Sequence, residues 1–596
     1  MMQVIATAGH VDHGKSTLIR ALTGIEPDRW AEEKRRGLTI DLGFAWTTLP
    51  SGREVSFVDV PGHERFLGNM LAGLGPAPIV CFVVAADAGW QAQSDDHRDA
   101  VAALGIDQGI IAITRADLAP ERIDEVAAQV RSEFAGTPLA EAPAVAVSAV
   151  TGQGVDELRS ALDEAVERAR VPDVGERVRL WVDRSFTISG AGTVVTGTLA
   201  AGTLTKGQRL DLHGAEPRAQ VVVRGLQSRG GQVDSLGPVS RAAVNLRGVD
   251  HEQVSRGDAL LTPGAWELTD LVDVRGMTGQ ALGDAPEELT AHVGTAAVAA
   301  RVRPLGRQHA RLTLDRPLPL TTGDRMVLRG SGSHAVYAGV HVLDVDPPAL
   351  DRRGDGARRA AVLQQMPLSG DALLEVQRRG AIPERVLRRR GIPVPDPLPA
   401  GVRRVGEWLA DTDALTRWTE ALSAAAEAHA RANPLAAGLP ARAALDLLTL
   451  PDESLLGPVV AAAGLEHVDG RLRAPGSAAG LGAAESGIAA LEQRLRDTPF
   501  QAPEAEDLAA LRLGPRELAA AERLGRVLRL PDGVVLLPTA PALAMRELAA
   551  LTQPFTTSQA RQALGTTRRV AIPLLEHLDA RGWTRRVDAG HREIVR

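Results

Sequence analysis

The sequence Gly-His-Val-Asp-His-Gly-Lys-Ser at residues 9–16 decides the fold of the first part of this chain. It follows an apolar run at residues 2–8, which predicts a short buried strand, and it precedes the helical apolar pattern of Leu18, Ile19 and Leu22. A G-x-x-x-x-G-K-S sequence between a strand and a helix is typical of a phosphate-binding loop. Its glycines let backbone N–H groups turn toward phosphates, and the N-terminus of the following helix adds the positive end of its dipole.

The residues around this loop predict how a triphosphate and Mg²⁺ are held. Lys15 is expected to reach the β- and γ-phosphates, and the Ser16 hydroxyl is expected to bind Mg²⁺. Thr39, in a loop that closes on the metal, and Asp59, at the carboxyl end of a strand, are the other predicted Mg²⁺ ligands. Gly62 lets a backbone N–H approach the γ-phosphate.

A later strand at residues 109–113 leads into a predicted guanine-binding segment. Asp117 can accept two hydrogen bonds from the N1–H and N2–H₂ edge of guanine, donors that adenine lacks, so we predict GTP and GDP as the nucleotides. The predicted nucleotide-binding residues are Gly9, His10, Val11, Asp12, His13, Gly14, Lys15, Ser16, Thr17, Gly62, Thr114, Arg115, Asp117, Ser148 and Ala149.

These segments, in this order, resemble the GTP-binding domain of translational GTPases. The sequence Asp-Val-Pro-Gly-His at residues 59–63 is similar to the elongation factor Tu class in particular. The resemblance implies that His63 orients the attacking water once a ribosome positions it, with Val11 and Leu38 on either side. The chain departs from the family at Arg115, where the guanine motif usually has lysine, and arginine differs from lysine in shape and donor geometry.

Residues 173–347 change character and predict two β-barrels that part near Pro263. They contain short runs rich in Val, Thr and Gly, with turn residues every 8–12 positions. The run at residues 190–197 resembles the second domain of elongation factors, which implies that this barrel and the GTP-binding domain hold the aminoacyl end of a tRNA.

For the carried amino acid, the selenocysteine-specific branch of the family has a pocket with charged residues. We expect this pocket to contain Asp183, Arg184 and Arg241, because a cation favours an anionic selenolate over a neutral serine side chain. The alternative is that these arginines are ordinary surface residues of a barrel.

From residue 351 onward, helical Ala/Leu patterns replace the strands. A weak repeat of glycine, strand and glycine turn begins at Gly401, Gly464, Gly525 and Gly582, each time after helical sequence. This pattern predicts four tandem winged helices. The predicted domains are 1–172 (GTP-binding, α/β), 173–262 and 263–347 (barrels), 351–411, 412–478 (with a linker helix), 485–540 and 541–596 (winged helices).

The net charge of −7 is unevenly distributed, because the C-terminal segment of the chain is basic. Residues 551–596 contain eight arginines and four acidic residues, so this segment carries +4 and the rest of the chain −11. A basic terminal module on an acidic chain suits a nucleic-acid contact, predicted at Arg568, Arg569, Arg585 and Arg586. A solvated face or a protein-binding module is the alternative.

The remaining composition bounds the cellular setting. The chain has 596 residues, and its single cysteine, Cys81, excludes an intrachain disulfide. We find no signal peptide and no apolar run of membrane-spanning length, so we expect a cytoplasmic protein with no membrane contact. We also expect the protein to be a monomer. Only three lysines are present, Lys15, Lys34 and Lys206, so arginine abundance by itself says little about RNA binding.

The three-domain body followed by winged helices resembles the SelB family of bacterial selenocysteine-specific elongation factors. The resemblance implies a ribosome-stimulated GTPase that delivers selenocysteinyl-tRNA at in-frame UGA codons, with its last winged helix on a hairpin of the selenoprotein mRNA. Two alternatives stay open from the sequence. One is an initiation-factor or sulfate-activation relative, and the other is a GTP-switched nucleic-acid-binding regulator.

Overall fold

The computed structural model describes residues 2–27, 39–170, 172–190, 192–214, 219–330, 332, 335–433, 435–476 and 481–595. The chain forms two compact units. The first unit consists of Met1–Glu375 and Pro383–Pro399, and the second consists of Val376–Ile382 and Ala400–Arg596. Within the described residues, no helix has the length and apolar character needed to cross a membrane.

The first domain is a six-stranded α/β sheet with strand order β2-β3-β1-β4-β5-β6. All neighbouring strands are parallel except β2, which runs antiparallel to β3. Its strands are β1 (Met2–Ala8), β2 (Gly43–Thr48), β3 (Glu54–Asp59), β4 (Ile79–Ala85), β5 (Gln108–Thr114) and β6 (Ala144–Ala146). Its α-helices are α1 (Lys15–Thr23), α2 (Leu67–Leu74), α3 (Ala92–Leu104), α4 (Ile123–Phe134) and α5 (Val155–Arg168), with 3-10 turns at Glu64–Phe66 and Pro120–Arg122.

Apolar side chains cover both faces of this sheet, as expected for parallel strands between helices. Every residue of β4 is buried, including Cys81. Burial raises the pKa of the Cys81 thiol to about 12, so this thiol is a core group. Because parallel strands end at the same edge, the loops after β1, β3, β5 and β6 meet there and form the site described below.

The first barrel is a sheet that closes on itself. Its order is β10-β15-β7-β8-β14-β11-β12, and β10 also pairs with β11. The strands of this sheet are β7 (Arg179–Ile188), β8 (Gly192–Leu199), β10 (Arg209–His213), β11 (Ala219–Ser228), β12 (Gly231–Val233), β14 (Ser240–Arg247) and β15 (Ala259–Leu261), with a 3-10 turn at His251–Gln253. The short strands β9 (Leu204–Thr205) and β13 (Ser235–Leu236) pair with each other in a separate sheet. Alternating valines and leucines of these strands fill its interior.

The second barrel is closed, with strand order β16-β19-β18-β17-β20-β21. Its strands are β16 (Thr269–Gly279), β17 (Glu288–Val293), β18 (Ala296–Pro304), β19 (His309–Leu318), β20 (Arg325–Gly330) and β21 (Val336–Asp344), with a 3-10 turn at Leu282–Asp284. The helices α6 (Asp355–Gln365), α7 (Ala372–Arg379) and α8 (Glu384–Arg389) follow.

A buried ion network joins α6 to the second barrel. Asp273 accepts from Arg311 Nε at 2.7 Å and from Arg359 Nε at 2.7 Å, and Arg359 also donates to Asp344 at 2.6 Å. All four side chains are buried. Buried charges are stable only when paired, so this network ties the helix to the barrel.

The second unit is a helical region with small sheets. Its helices are α9 (Thr412–Ala432), α10 (Ala441–Leu448), α11 (Leu456–Ala462), α12 (Glu485–Asp497), α13 (Ala505–Ala510), α14 (Pro515–Arg523), α15 (Ala540–Ala549), α16 (Thr557–Ala563) and α17 (Arg568–Ala580). Its strands are β22 (Ala381–Pro383), β23 (Val402–Val405), β24 (Trp408–Asp411), β25 (Leu439–Pro440), β26 (Glu466–Val468), β27 (Arg471–Arg473), β28 (Leu528–Leu530), β29 (Val534–Leu536), β30 (Phe555–Thr556), β31 (Thr584–Arg586) and β32 (His591–Ile594). Further 3-10 turns are Glu453–Leu455, Gly482–Ala484 and Pro531–Gly533.

The last module has the winged-helix arrangement predicted for it. Thr556 caps α16, and its hydroxyl accepts from the Gln559 backbone N–H at 3.2 Å while the Gln559 side chain bonds back, a capping box. Helix α17 follows after a short turn, and β30, β32 and β31 form the wing sheet. This region as a whole is of winged-helix type, whereas the count of four modules stays a prediction.

Candidate functional site

The loop at residues 9–16 wraps the carboxyl end of β1 and needs glycine at its start. Gly9 has φ of +124°, and a Cβ there would lie 2.1 Å from the Val83 carbonyl oxygen. No other residue fits this conformation and this contact. The loop ends at the N-terminus of α1, where backbone N–H groups have no partner within the helix and the positive end of the helix dipole suits a phosphate.

Lys15 lies over this loop with its ammonium group held by main-chain carbonyls. Its Nζ donates to the Gly9 carbonyl at 2.9 Å and to the His10 carbonyl at 2.7 Å. Gly62, from the segment after β3, packs against the same point, because a Cβ on Gly62 would lie 2.4 Å from Lys15 Nζ and 2.6 Å from Val11 N. The cation, the loop and Gly62 therefore surround one small space.

The three predicted Mg²⁺ ligands meet beside this space. Ser16 Oγ donates to Asp59 Oδ2 at 2.6 Å and lies 3.1 Å from Thr39 Oγ1. The other Asp59 oxygen accepts from Thr7 Oγ1 at 2.8 Å, which orients the buried carboxylate. Two hydroxyl oxygens and one carboxylate are hard oxygen donors of the kind Mg²⁺ prefers, so these residues fit that ion. The neighbouring residues 28–38, including Leu38, lie outside the described part of the chain.

His63 begins the 3-10 turn after Gly62 and is half-buried. Its Nδ1 accepts from the Arg65 backbone N–H at 3.2 Å, and its ring lies 6.0 Å from that of Phe66. An Nδ1 that accepts leaves the proton of a neutral imidazole on Nε2.

His97 of α3 is a site residue that the sequence interpretation missed. Its Nδ1 accepts from Gly9 N at 3.0 Å, and the Gly62 backbone hydrogen-bonds the same buried imidazole. Burial, with the nearby cation of Lys15, holds the pKa of His97 well below its usual value. One neutral side chain thus joins the phosphate loop to Gly62. A histidine in a polar helix gives no sequence signal for a contact with a loop 88 residues earlier.

The guanine-binding candidates gather at the ends of β5 and β6. Thr114 Oγ1 donates to the His13 carbonyl at 2.7 Å, and Arg115 donates to the Asp12 carbonyl and to Asp87 at 3.0 Å. Arg115 therefore lies against the phosphate-loop backbone, as an arginine at this position can. Asp117 is exposed, whereas Ser148 is buried and its hydroxyl accepts from Thr151 N at 3.1 Å.

Two arginines of the first barrel hold the segment that follows Thr39. Asp41 accepts from Arg184 Nε at 3.1 Å and from Arg256 at 2.6 Å. Arg256 also donates to Asn69 of α2 at 2.6 Å, and Asn69 donates to the Ile40 carbonyl at 3.0 Å. We call Asp41, Asn69, Arg184 and Arg256 the barrel clamp. Sequence reasoning identified Arg184 but missed the other three, because the two arginines lie 143 and 215 residues from Asp41.

A cavity of about 220 Å³ lies between the first domain and the first barrel, next to the barrel clamp. Arg184 and Arg241 line it, with their guanidinium groups 5.0 and 3.9 Å from the ring centre of Phe44. Arg241 is bonded to the buried carboxylate of Asp183 at 2.7 Å, and Thr196 donates to the same carboxylate at 2.7 Å. The structure thus brings all three predicted pocket residues together, although Asp183 partly offsets the charge of Arg241.

The four predicted RNA-binding arginines lie at the start of α17 and on β31. Arg568 is exposed, whereas Arg569 donates to the carbonyls of Ala502 and Pro503 at 3.2 and 3.1 Å. On the wing, Arg585 pairs with Glu593, and Arg586 lies 3.4 Å from Glu576. Of the four, Arg568 is the exposed guanidinium without an ion pair among the described residues.

Because two histidines are buried in the neutral form, we expect the free energy of unfolding to fall in acid. Burial, with His10 and Lys15, lowers the pKa of His13 to about 4, and burial with Arg329 lowers the pKa of His292 to about 4. Below about pH 6.5 these two imidazoles are protonated in the unfolded chain but stay neutral in the folded chain. The free energy of unfolding should therefore fall from pH 7.5 to 5.5, by about 1 kcal/mol for each of these two histidines.

This pH dependence is measured by guanidinium unfolding followed by circular dichroism. A His292→Asn variant should lose part of the difference between the two pH values. A free energy that stays constant or rises on acidification would contradict the prediction.

Comparison with known families adds to this geometry. The family described as "Elongation factor Tu GTP binding domain" matches residues 1–168. "Selenocysteine-specific elongation factor, beta-barrel domain" matches residues 269–349, and "Elongation factor SelB, winged helix" matches residues 546–592.

Three relatives are similar to somewhat less than two thirds of the chain. The chain is 39% identical over 382 residues to the selenocysteine-specific elongation factor of Escherichia coli, covering 64% of this chain and 61% of the relative. It is 35% identical over 401 residues to that of Desulfomicrobium baculatum, covering 63% and 62%. The chain thus spans less than two thirds of the length of these relatives. It is also 30% identical to translation initiation factor 2 subunit gamma of Haloquadratum walsbyi, over 57% of this chain and 97% of that protein.

The fold as a whole is similar to a solved structure. A crystal structure titled as bacterial selenocysteine-specific elongation factor EF-Sec matches with a TM-score of 0.74 at 24% identity, over 100% of both chains. At this identity the likeness describes the fold, including the order of GTP-binding domain, two barrels and winged-helix region.

Proposed function

Because the chain belongs to the elongation factor Tu family of GTP-binding translation factors and, within it, to the SelB branch, we propose that it delivers selenocysteinyl-tRNA to the ribosome at in-frame UGA codons. Delivery is driven by GTP hydrolysis, and the winged-helix region binds a hairpin of the selenoprotein mRNA. The protein acts in the cytoplasm as a monomer.

In the proposed reaction, water attacks the γ-phosphorus of GTP, the bond from this phosphorus to the β–γ bridging oxygen breaks, and GDP and inorganic phosphate are released. Lys15 neutralises charge on the β- and γ-phosphates, and the Gly62 N–H senses the γ-phosphate. Ser16, Thr39 and Asp59 hold Mg²⁺, which supplies charge stabilisation at the phosphate oxygens when bound. His63 orients the attacking water through its imidazole. Asp117 selects guanine, and Arg115 supports the phosphate loop through its bond to the Asp12 carbonyl.

Replacing His63 with alanine tests the water-orienting role. We expect ribosome-stimulated GTP hydrolysis to fall by about 100-fold or more, a loss typical when a general acid–base or orienting group is removed. GTP affinity should stay unchanged, because within the described part of the chain no hydrogen bond joins His63 to Lys15 or to the predicted Mg²⁺ ligands. Single-turnover hydrolysis with labelled GTP and ribosomes measures the rate. Replacement of exposed His467 is the matched control, and unchanged turnover in the His63 variant would contradict the role.

The observation that carries the tRNA proposal is the arginine-lined cavity beside Phe44. A selenolate is anionic at neutral pH, whereas the hydroxyl of serine is neutral. Arg184 and Arg241 are paired with Asp41 and Asp183, but each guanidinium has five N–H donors. Since both groups line the cavity, they still favour an anionic side chain over a neutral one where water is partly excluded. The cavity adjoins the barrel clamp, so an aminoacyl group there lies close to the Thr39 segment.

A hydrolysis-protection assay tests this proposal. With GTP bound, the chain should slow the hydrolysis of the ester bond of selenocysteinyl-tRNA much more than that of seryl-tRNA. An Arg241→Met variant should lose most of this discrimination while retaining GTP affinity. Equal protection of both tRNAs would refute selenocysteine specificity, and protection of neither would refute tRNA binding.

The proposed mRNA contact is supported by the net charge of +4 in residues 551–596 and by the exposed guanidinium of Arg568. Fluorescence anisotropy of the full chain with a selenoprotein hairpin should show weaker binding for Arg568→Ala. Arg546→Ala removes an exposed arginine that is paired with Glu547 and serves as the control. Equal affinity for the hairpin and for a scrambled RNA would refute hairpin recognition.

A further inference from the structure

A groove of about 820 Å³ lies in the second unit between the end of α9 and helix α14. Leu435, Leu481 and several alanines form its apolar floor. Its walls carry four arginines and two glutamates, and they are Arg471, Arg512, Arg516, Arg523, Glu517 and Glu522. None of these residues belongs to the nucleotide site, the cavity beside Phe44 or the last module.

Three of these arginines form an unpaired set, which we call the α14 face: Arg512, Arg516 and Arg523. All three are exposed, and among the described residues no carboxylate forms an ion pair with them. Other exposed arginines of the same unit do have such partners, as Arg494 does with Asp507 at 2.9 Å. Within the groove, Glu522 accepts a hydrogen bond from the Arg529 N–H at 3.2 Å, so this carboxylate is bonded outside the α14 face.

The local fold presents the α14 face in one direction. Arg516 and Arg523 are seven residues apart on α14, which places them on the same side of the helix, about 10 Å apart along its axis. Arg512 lies in the turn just before the helix and has a positive φ of 56°. Helices α13 and α14 with strands β28 and β29 repeat the order helix, turn, helix and wing of the last module. In helix-turn-helix proteins the second helix is the one that meets nucleic acid.

The segment of the α14 face and the last module share a hydrophobic core. Leu495, Leu518 and Val534 belong to the same buried cluster as Leu574 and Leu578 of α17. Thr566 and Arg569 also bond to main-chain carbonyls of Phe500, Ala502 and Pro503. The α14 face therefore keeps a fixed position relative to the last module.

We propose that the α14 face is a second RNA-binding surface, which contacts the phosphates of an RNA duplex without reading its sequence. Unpaired exposed guanidinium groups attract phosphates, and their binding releases the counterions of those phosphates. Guanidinium groups that are already paired with carboxylates bind phosphates less strongly. This inference extends the RNA binding proposed for the last module, and it rests on that proposal for the class of ligand.

The test uses the full chain and a fluorescein-labelled hairpin RNA of 25 base pairs with arbitrary sequence. Anisotropy titrations over 50–300 mM KCl give the affinity and its salt dependence. In the R512A/R516A/R523A variant we expect affinity at low salt to fall by about 10-fold or more. The slope of log K against log[KCl] should become shallower by about 2 to 3, one for each lost phosphate contact. The matched control, R442A/R496A/R546A, removes the same charge from exposed arginines that are paired with acids.

The outcomes separate this inference from the proposed function. If the α14-face variant and its control bind alike, the inference is overturned, whatever R568A/R585A does. If the α14-face variant weakens RNA binding and R568A/R585A does not, RNA binding by the α14 face is supported and the proposed RNA contact of the last module is contradicted. A polyglutamate peptide that binds the wild type and competes fully with the RNA would assign the surface to acidic proteins and overturn the inference. Should the triple variant lose its circular dichroism spectrum, the single substitution R516A gives the same slope test with an expected change of about 1.

Discussion

Replacing Lys15 with alanine is expected to lower the affinity for GTP by roughly 100-fold, the effect of losing two charge-assisted hydrogen bonds of about 1.5 kcal/mol each. The ammonium group already lies against the Gly9 and His10 carbonyls at the mouth of the phosphate loop. GDP binding should weaken too, because the β-phosphate is common to both nucleotides.

The matched control for this prediction is Lys206→Ala, which removes an exposed lysine of the first barrel. Titration with a fluorescent GTP analogue measures both affinities, and circular dichroism verifies the fold. A Lys15→Ala variant that binds GTP as tightly as the wild type would remove the phosphate-loop interpretation. Loss of binding in both variants would instead indicate a general effect of charge.

Replacing Asp273 with alanine is expected to destabilise the second barrel by about 3 to 5 kcal/mol, the range for removing one partner of a buried ion pair. Asp273 is fully buried and bonded to two guanidinium groups. Without it, Arg311 and Arg359 stay in a low-dielectric interior with one carboxylate, Asp344, between them. An isolated buried charge is far more costly than a paired one.

The comparison variant is Glu287→Ala, which removes an exposed carboxylate 3.8 Å from Arg301 of the same barrel. An exposed pair of this kind contributes little, so we expect a change within about 0.5 kcal/mol. Guanidinium unfolding followed by circular dichroism measures both. If the two variants were equally stable, the network around Asp273 would not hold α6 to the barrel.

The phosphate loop shows what local sequence can predict. Residues 9–16 specify their own conformation through glycine, a helix start and a preceding apolar strand, and the structure has β1 and α1 on either side of them. The strands that carry Asp59 and Thr114 were predictable in the same way, since each is a buried run that ends in a polar residue. The wing of the last module was predicted from the glycine at Gly582, and strands β31 and β32 follow it.

Contacts between distant parts of the chain were not predictable from these patterns. Asp41, Asn69 and Arg256 show no periodicity or spacing that points to one another, and only the packing of the first barrel on the first domain brings them together. The pairing of Asp183 with Arg241 is of the same kind, with 58 residues between them. For the α14 face, composition was misleading, because residues 485–540 contain nine acidic residues against seven arginines.

The barrel clamp has a thermodynamic consequence. Arg256 contacts both Asp41, two residues after the predicted Mg²⁺ ligand Thr39, and Asn69 of the helix after His63. If GTP and an aminoacyl group in the proposed pocket favour the same arrangement of these segments, each raises the affinity for the other, and this coupling is reciprocal. For the proposed aminoacyl pocket, the factor by which the aminoacyl group changes the GTP affinity must equal the factor by which GTP changes the affinity for the aminoacyl group. Measuring either affinity with and without the other ligand therefore gives the energy that the clamp transmits.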